Sequence, residues 1–215
     1  MGEIIPVDPW VYEKQTRSKG FLTVVGLDEA GRGPLAGPVV AAAVILPPDF
    51  DHNGIRDSKL MTPAAREKMF LRLNSEAVAI GVGIISPEVI DEINILRATH
   101  AAMKAALSDL SVVFDFILVD GLPVSGLPAP SMAIVKGDSK SVSIGAASII
   151  AKVTRDRIMV ELDDEYPQYG FAGHKGYCTS DHVAAIKRYG PCPHHRKSFA
   201  PISERIANCC LPGLE

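Results

Sequence analysis

Tryptophan occurs once and cysteine four times in 215 residues, and aromatic side chains make up 6% of the chain. The cysteines, Cys178, Cys192, Cys209 and Cys210, all lie in the last fifth and two are adjacent. That is a poor framework for stapling a domain of this size, so they read as reduced thiols. A zinc site built from Cys192, His194, His195 and the Cys209-Cys210 pair matches no standard ligand spacing. Long apolar runs are missing too: the longest, Val39 to Leu46, falls far short of the roughly 18 residues needed to span a bilayer. Glu3 stands where a secretory leader carries basic residues, and the N-terminus lacks the Ser or Thr of a myristoylation site, so the expectation is a cytoplasmic protein away from membranes. No Gly-x-x-x-x-Gly-Lys-[Ser/Thr] loop is present, which argues against a nucleotide-binding phosphotransferase.

A strong positive charge is also lacking, since the net charge is -3. The balance is uneven, however. Residues 1–135 hold 11 Lys/Arg against 16 Asp/Glu, whereas residues 136–200 hold 10 against 7, so a phosphate-binding surface would draw mainly on the later segment. With 47% hydrophobic residues the chain can close one sizeable core.

Strand-like segments rich in Val, Ile and Ala fall at about 22–28, 38–46 and 78–85, the first two close enough for a hairpin. Two further strands are expected, at Phe114-Gly121 and at about 132–135. Thr62-Pro63 opens a helix to about Asn74, and Ser86-Pro87 opens one that should run to about Leu110, with Val89, Ile93, Leu96, Met103 and Leu107 facing the sheet. A long helix begins near Ser141 or Ser143 and continues to about Glu165, and Thr179 caps a last one ending near Tyr189-Gly190. Strands first, then strands alternating with helices, give an α/β fold with a central mixed five-stranded sheet flanked by helices. Residues 1–215 are expected to form a single domain, with its core at about 21–165 and a small helical, substrate-facing segment at about 166–215.

The most informative stretch is Val24-Val25-Gly26-Leu27-Asp28-Glu29-Ala30-Gly31-Arg32-Gly33-Pro34, in which an apolar strand delivers two carboxylates into a glycine-rich turn. A buried strand tolerates an unpaired carboxylate badly, so two at its end imply a cation or an open cleft. The fourth strand also ends in an aspartate, Asp120. Neighbouring strands lie about 4.8 Å apart, so Asp28 and Asp120 could share a divalent ion. Glu29 could join if the strand ends there, and Asp138 would enter from the loop before the long helix. Taken singly, each acid could equally be a cap or turn residue. Four oxygen donors without histidine or thiolate suit Mg²⁺ or Mn²⁺ and metal-assisted phosphoryl transfer. Gly31-Arg32-Gly33 would let backbone amides approach a ligand while Arg32 reaches for phosphate.

The string from Gly26 to Val39 closely resembles the opening motif of the bacterial ribonuclease HII family. Asp57-Ser58-Lys59-Leu60, Val119-Asp120-Gly121, Lys136-Gly137-Asp138 and Ala146 through Asp156 resemble later blocks of that family, in order and spacing. So do Tyr169-Gly170-Phe171, His174-Lys175-Gly176-Tyr177, Thr179 with His182, and Gly190-Pro191 followed by His195-Arg196 and Ser198-Phe199. The resemblance spans about residues 21–200. It implies an RNase H-like fold and endonucleolytic cleavage of RNA in RNA/DNA hybrids and 5′ to ribonucleotides embedded in duplex DNA, leaving 5′-phosphate and 3′-hydroxyl ends. Asp28, Glu29, Asp120 and Asp138 match the four catalytic acids of a two-metal mechanism. The resemblance also implies that Gly31, Arg32, Gly33 and Tyr177 read the ribose 2′-hydroxyl and the sugar at the junction.

Lys59, Lys152, Arg155, Lys175 and Arg196 are phosphate-clamp candidates, each of which could otherwise be a solvated charge or, as for Lys152 with Asp156, an i,i+4 ion pair. Cys178 stands where the family pattern has glycine; if that position needs a positive φ, cysteine would strain the Tyr177 loop. Ribonuclease HIII is the nearest rival, but it carries a glutamate as its fourth acid and an extra N-terminal domain, whereas about 20 residues precede the first strand here. A noncatalytic nucleic-acid-binding module on the same scaffold would be expected to have lost a carboxylate. No sliding-clamp peptide is evident in the tail, and a monomer is the expected state.

Overall fold

The computed structural model describes residues 8–55 and 61–204. Its centre is a five-stranded mixed sheet made of β1 (Val24–Ala30), β2 (Val39–Ile45), β3 (Ala79–Ile85), β4 (Phe116–Asp120) and β5 (Ser131–Ile134), in the order β3-β2-β1-β4-β5. β1 runs antiparallel to β2, as the hairpin reading expected, and parallel to β4. All seven residues of β2 are buried, because helices cover both faces of the sheet. On one face Val25, Leu27 and Ile117 pack with Ile90, Ala102 and Met103 of α3 (Pro87–Ile93) and α4 (Ile95–Ser108). On the other, Ala42 and Val44 pack with Leu73 of α2 (Pro63–Glu76) and with Ala146, Ile149 and Ile150 of α5 (Val142–Glu165).

The long helix expected from Ser86 to Leu110 is two helices. Asn94 adopts φ 68°, and its side-chain oxygen accepts from the Arg97 amide at 3.1 Å, so it ends α3 and caps α4. Asparagine tolerates the left-handed region better than other non-glycine residues, and the resulting change of direction leaves Leu96 facing solvent rather than the sheet. A short N-terminal helix, α1 (Val11–Arg17), was not legible in the sequence, being mostly polar and only seven residues long. Its packing role is specific. Glu13 is fully buried and accepts from Ser141 Oγ (2.6 Å) and the Ser143 amide (3.0 Å) at the N-terminus of α5, where orphan donors and the helix dipole favour a carboxylate.

Helix α5 lies against β1 main chain to main chain. A Cβ at Gly26 would stand 2.1 Å from the Ser143 carbonyl carbon, so the glycine is what permits the approach. Side chains alternate along a strand, so Gly26 and Asp28 share the face that α5 covers. Beyond α5 come α6 (Phe171–His174) and α7 (Ser180–Tyr189), which with Leu35, Met159 and Ile202 enclose a smaller third core.

The Gly26→Ala variant is expected to lose about 3 kcal/mol or more of stability, since the clash is with backbone. Gly33→Ala, whose Cβ would meet nothing within 4 Å, should stay within about 0.5 kcal/mol of the parent. Urea unfolding of the two purified variants checks the contrast.

Candidate active site

Parallel pairing of Leu27 with Val119 carries the next residues, Asp28 and Asp120, to neighbouring positions at the C-terminal ends of two strands. Asp28 is buried, and its carboxyl is held well above the usual carboxylate range, first by burial and then by the charges of Glu29 and Asp120. A hydrogen bond from Ser148 of α5 and one from the Glu29 amide (2.7 Å) oppose that rise without cancelling it. Asp120 accepts from the Gly137 amide at 2.6 Å. That amide opens a 3-10 turn, Gly137–Ser139, in which Asp138 is buried. β1 continues to Ala30, so alternation sends the Cβ of Glu29 to the face opposite Asp28, and the Glu29 carboxylate pairs with Arg32 at 3.2 Å.

No three His, Cys, Asp or Glu side chains among the described residues are gathered into a closed metal cage. The donor set nevertheless fits a hard divalent cation. It consists of carboxylate oxygens, and Asp28 is crowded by two like charges that a cation between the strand ends would offset.

Asp28 and Glu29 open onto a cleft of about 1030 Å³ that is also lined by Gly31-Arg32-Gly33, Lys152, Lys175 and Tyr177. Asp120 and Asp138 do not line it. The cleft is mixed in charge. Lys152 is bound to Asp156 at 2.8 Å, the i,i+4 pair expected from sequence, and Arg157 pairs with Glu67. Lys175 adopts φ 52° and donates its ammonium to the Ala172 carbonyl.

Two of the phosphate-clamp candidates are not on this surface. Arg155 and Arg196 are fully buried. Arg155 donates to the carbonyls of Pro38, Ala36 and Lys175, each at 3.0 Å. Arg196 donates to the carbonyls of Gly31, Arg32, Gly37 and Pro38 at 2.5–3.2 Å. Burial and the charge of Arg155 push the Arg196 guanidinium down to about 9, so it stays charged at neutral pH. Both arginines therefore shape the 31–38 loop rather than face a ligand. The loop has room for them because a Cβ at Gly31, which adopts φ 94°, would lie 2.0 Å from Arg155 Nε. Lys59 lies outside the described residues.

Tyr177 is 44% exposed, with Lys152 Nζ 5.8 Å and Arg155 Cζ 5.9 Å from its ring centroid. Cys178 is exposed and is not among the described residues with positive φ, so cysteine puts no left-handed strain on this loop. Cys192 is a buried thiol whose Sγ lies 3.1 Å from His195 Nδ1.

Sequence reasoning named His182 and His195 within family blocks but missed their pairing beneath Tyr177. The Cys192 amide donates to His195 Nδ1 (3.0 Å), so the His195 proton sits on Nε2 and faces His182 Nε2 at 3.0 Å. His182 Nδ1 must then carry its proton, which it donates to the Tyr177 carbonyl at 2.9 Å. Burial, chiefly, lowers both imidazoles to about 4, and each also feels the charge of neighbouring histidines. The available signal was their place in two of those blocks, Thr179 with His182 and Gly190-Pro191 followed by His195-Arg196.

Residues 25–202 match the family model described as Ribonuclease HII. The chain is 56% identical over 189 residues to ribonuclease HII of Acetivibrio thermocellus, covering 88% of this chain and 74% of that one. It is 54% identical over 195 residues to ribonuclease HII of Bacillus anthracis, covering 91% of this chain and 76% of that one. Among solved structures it resembles ribonuclease H2 from Pyrococcus horikoshii, with a TM-score of 0.73 and 31% identity over 87% of this chain and 98% of the other.

The buried imidazoles make stability depend on pH. An unfolded histidine titrates near 6.5, so between pH 6.5 and about 4 the unfolded chain binds protons that the folded chain refuses. Their contribution is full above pH 6.5 and falls as pH drops towards 4, by on the order of 3 kcal/mol per imidazole. Urea midpoints measured from pH 7.5 to 4.5 should fall steeply below 6.5, whereas a flat profile would refute neutral burial.

Proposed function

This chain belongs to the ribonuclease HII family and is a divalent-metal-dependent endoribonuclease of RNA/DNA hybrids, and we propose that Asp28, Glu29, Asp120 and Asp138 hold its metal at the ends of β1 and β4. The observation that carries this reading is Asp28, a buried carboxyl with two further acids pressing on it, placed beside a loop whose glycines open onto a cleft. Mg²⁺ or Mn²⁺ suits such oxygen donors, and a pair of these ions, once bound, supplies an activated water for in-line attack on the phosphate 5′ to a ribonucleotide and offsets charge on the leaving 3′-oxygen. The ends produced are then a 5′-phosphate and a 3′-hydroxyl.

The protein's part is positioning. Ser148 and the Glu29 amide aim Asp28, the Gly137 amide aims Asp120, and Asp138 is the next residue in the 3-10 turn that this amide opens. Gly33 has ordinary φ and open space around it, so nothing within the chain requires glycine there. A side chain would instead stand in the cleft, where a sugar-phosphate backbone would pass. Gly31, Arg32, Gly33 and Tyr177 line the cleft and in this reading contact the ribose 2′-hydroxyl and sugar, while Lys152 and Lys175 meet phosphates. The proposed substrates are RNA/DNA hybrids and duplex DNA containing embedded ribonucleotides. One copy of the chain carries every residue named, so a monomer suffices. No helix among the described residues is long and apolar enough to cross a membrane.

A DNA duplex carrying one ribonucleotide, incubated with Mg²⁺, Mn²⁺ or a chelator, should be incised on the 5′ side of the ribonucleotide in the first two cases and left intact in the third. Asp28→Asn and Asp120→Asn should lower cleavage by at least about a thousandfold, or about 4 kcal/mol in the barrier, while duplex binding persists. Parental turnover by either variant would sink the metal assignment. Tyr177→Ala should cost most on the single-ribonucleotide duplex, and undiminished incision there would remove Tyr177 from substrate reading.

A further inference from the structure

The Tyr177 ring is exposed, but its main chain is among the most firmly tied in the smaller core. Its amide donates to the His174 carbonyl at 2.9 Å, and its carbonyl accepts from both the Thr179 amide and His182 Nδ1 at 2.9 Å. The Gly176 carbonyl, one residue before, accepts from the Leu35 amide at 2.8 Å, which fixes the tyrosine beside the glycine loop. We propose that the His182–His195 pair is a positioning device for Tyr177, a directional relay that carries the placement of the Cys192–Arg196 segment to the residue that reads the ribose. The proposal rests on the reading of Tyr177 as a substrate contact.

Three observations support a positioning role over simple filling of space. First, every nitrogen in the relay is committed in one direction, from the Cys192 amide through His195 and His182 to the Tyr177 carbonyl, and the neighbouring His174 is committed likewise. His174 Nδ1 accepts from the Gly176 amide at 3.1 Å, so its Nε2 donates to the Tyr169 carbonyl at 2.8 Å, and its ring stacks on His182 with centroids 4.3 Å apart. Apolar side chains would fill the same volume without setting a direction. Second, the relay is dry. His182 and His195 are 0% and 1% exposed, and Phe171 lies edge-on to His182 with centroids 5.5 Å apart. Third, the far end of the relay is anchored to the glycine loop. His195 pairs with Ala36 as an isolated bridge, the Gly37 amide donates to the His194 carbonyl at 2.9 Å, and Arg196 holds the carbonyls of Gly31 and Arg32. The segment that ends the relay therefore also moulds the glycine loop, so the loop and Tyr177 are referred to one element.

Isosteric substitutions at His182 separate direction from packing. His182→Asn keeps an N–H near the Nδ1 position and its bond to the Tyr177 carbonyl, whereas His182→Gln reaches towards His195 and gives that bond up. On the single-ribonucleotide duplex, His182→Gln should raise KM about tenfold with little change in kcat, and His182→Asn should stay within about twofold of the parent. Added to Tyr177→Ala, His182→Gln should have no further effect, since a device acting through the tyrosine has nothing left to position. If His182→Gln does not fold, His195→Leu removes the bond that fixes the His182 tautomer and supplies the same cycle. Equal KM for the Asn and Gln variants, or the same loss in the Tyr177→Ala background as in the parent, would overturn the proposal with the reading of Tyr177 intact. Unchanged cleavage by Tyr177→Ala alone would overturn both.

Discussion

Two buried guanidinium groups that donate to main-chain carbonyls hold the substrate side of this protein together. Arg155 and Arg196 reach the 31–38 loop from opposite directions, one from α5 and the other from the segment after α7, and spend their donors on its main-chain carbonyls. A buried charge is costly unless its hydrogen-bonding capacity is filled, and a loop with carbonyls turned inward is costly unless donors meet them. Each requirement answers the other. The two arginines also share one acceptor, the Pro38 carbonyl, so neither can be displaced without disturbing what the other holds.

From that constraint the arrangement of the cleft follows. The loop leaves the end of β1 directly after the acids, so fixing its carbonyls also fixes the direction in which the strand end opens. On the other face of the same opening, α5 supplies Ser148 to Asp28, Lys152 to the cleft and Arg155 to the loop within eight residues of helix. Negative charge concentrated at the strand ends, with cations farther out along the cleft, is the polarity a phosphodiester with bound cations requires.

Much of this was legible in the sequence, and what was not has identifiable causes. Apolar runs ending in Asp28 and Asp120 gave away strands and site together, because a carboxylate at the end of a buried strand needs a cation, a donor or an opening to water. The caps Thr62, Ser141 and Thr179 were readable because a side-chain acceptor three residues before an amide is a local event. The α3–α4 break was missed because Asn94 sits in an otherwise continuous helical pattern. Arg155 and Arg196 were read as phosphate clamps because residue type alone does not distinguish a guanidinium facing solvent from one facing carbonyls. A signal was present even so. The loop from Gly31 to Pro38 contains two prolines and three glycines and cannot satisfy its own carbonyls, so donors had to come from elsewhere in the chain. The pairing of His182 with His195 escaped notice because it depends on tautomers fixed by partners outside either motif.

The approach of α5 to β1 at Gly26 has a further meaning for precision. Where two elements meet through side chains, rotamer changes and small repacking let them slide by fractions of an ångström. Here two main chains touch, and no rotamer lies between them to absorb a displacement. Asp28, two residues along the same strand, and Ser148, just over a turn into the same helix, therefore inherit a separation governed by peptide geometry, the stiffest reference available in a folded chain.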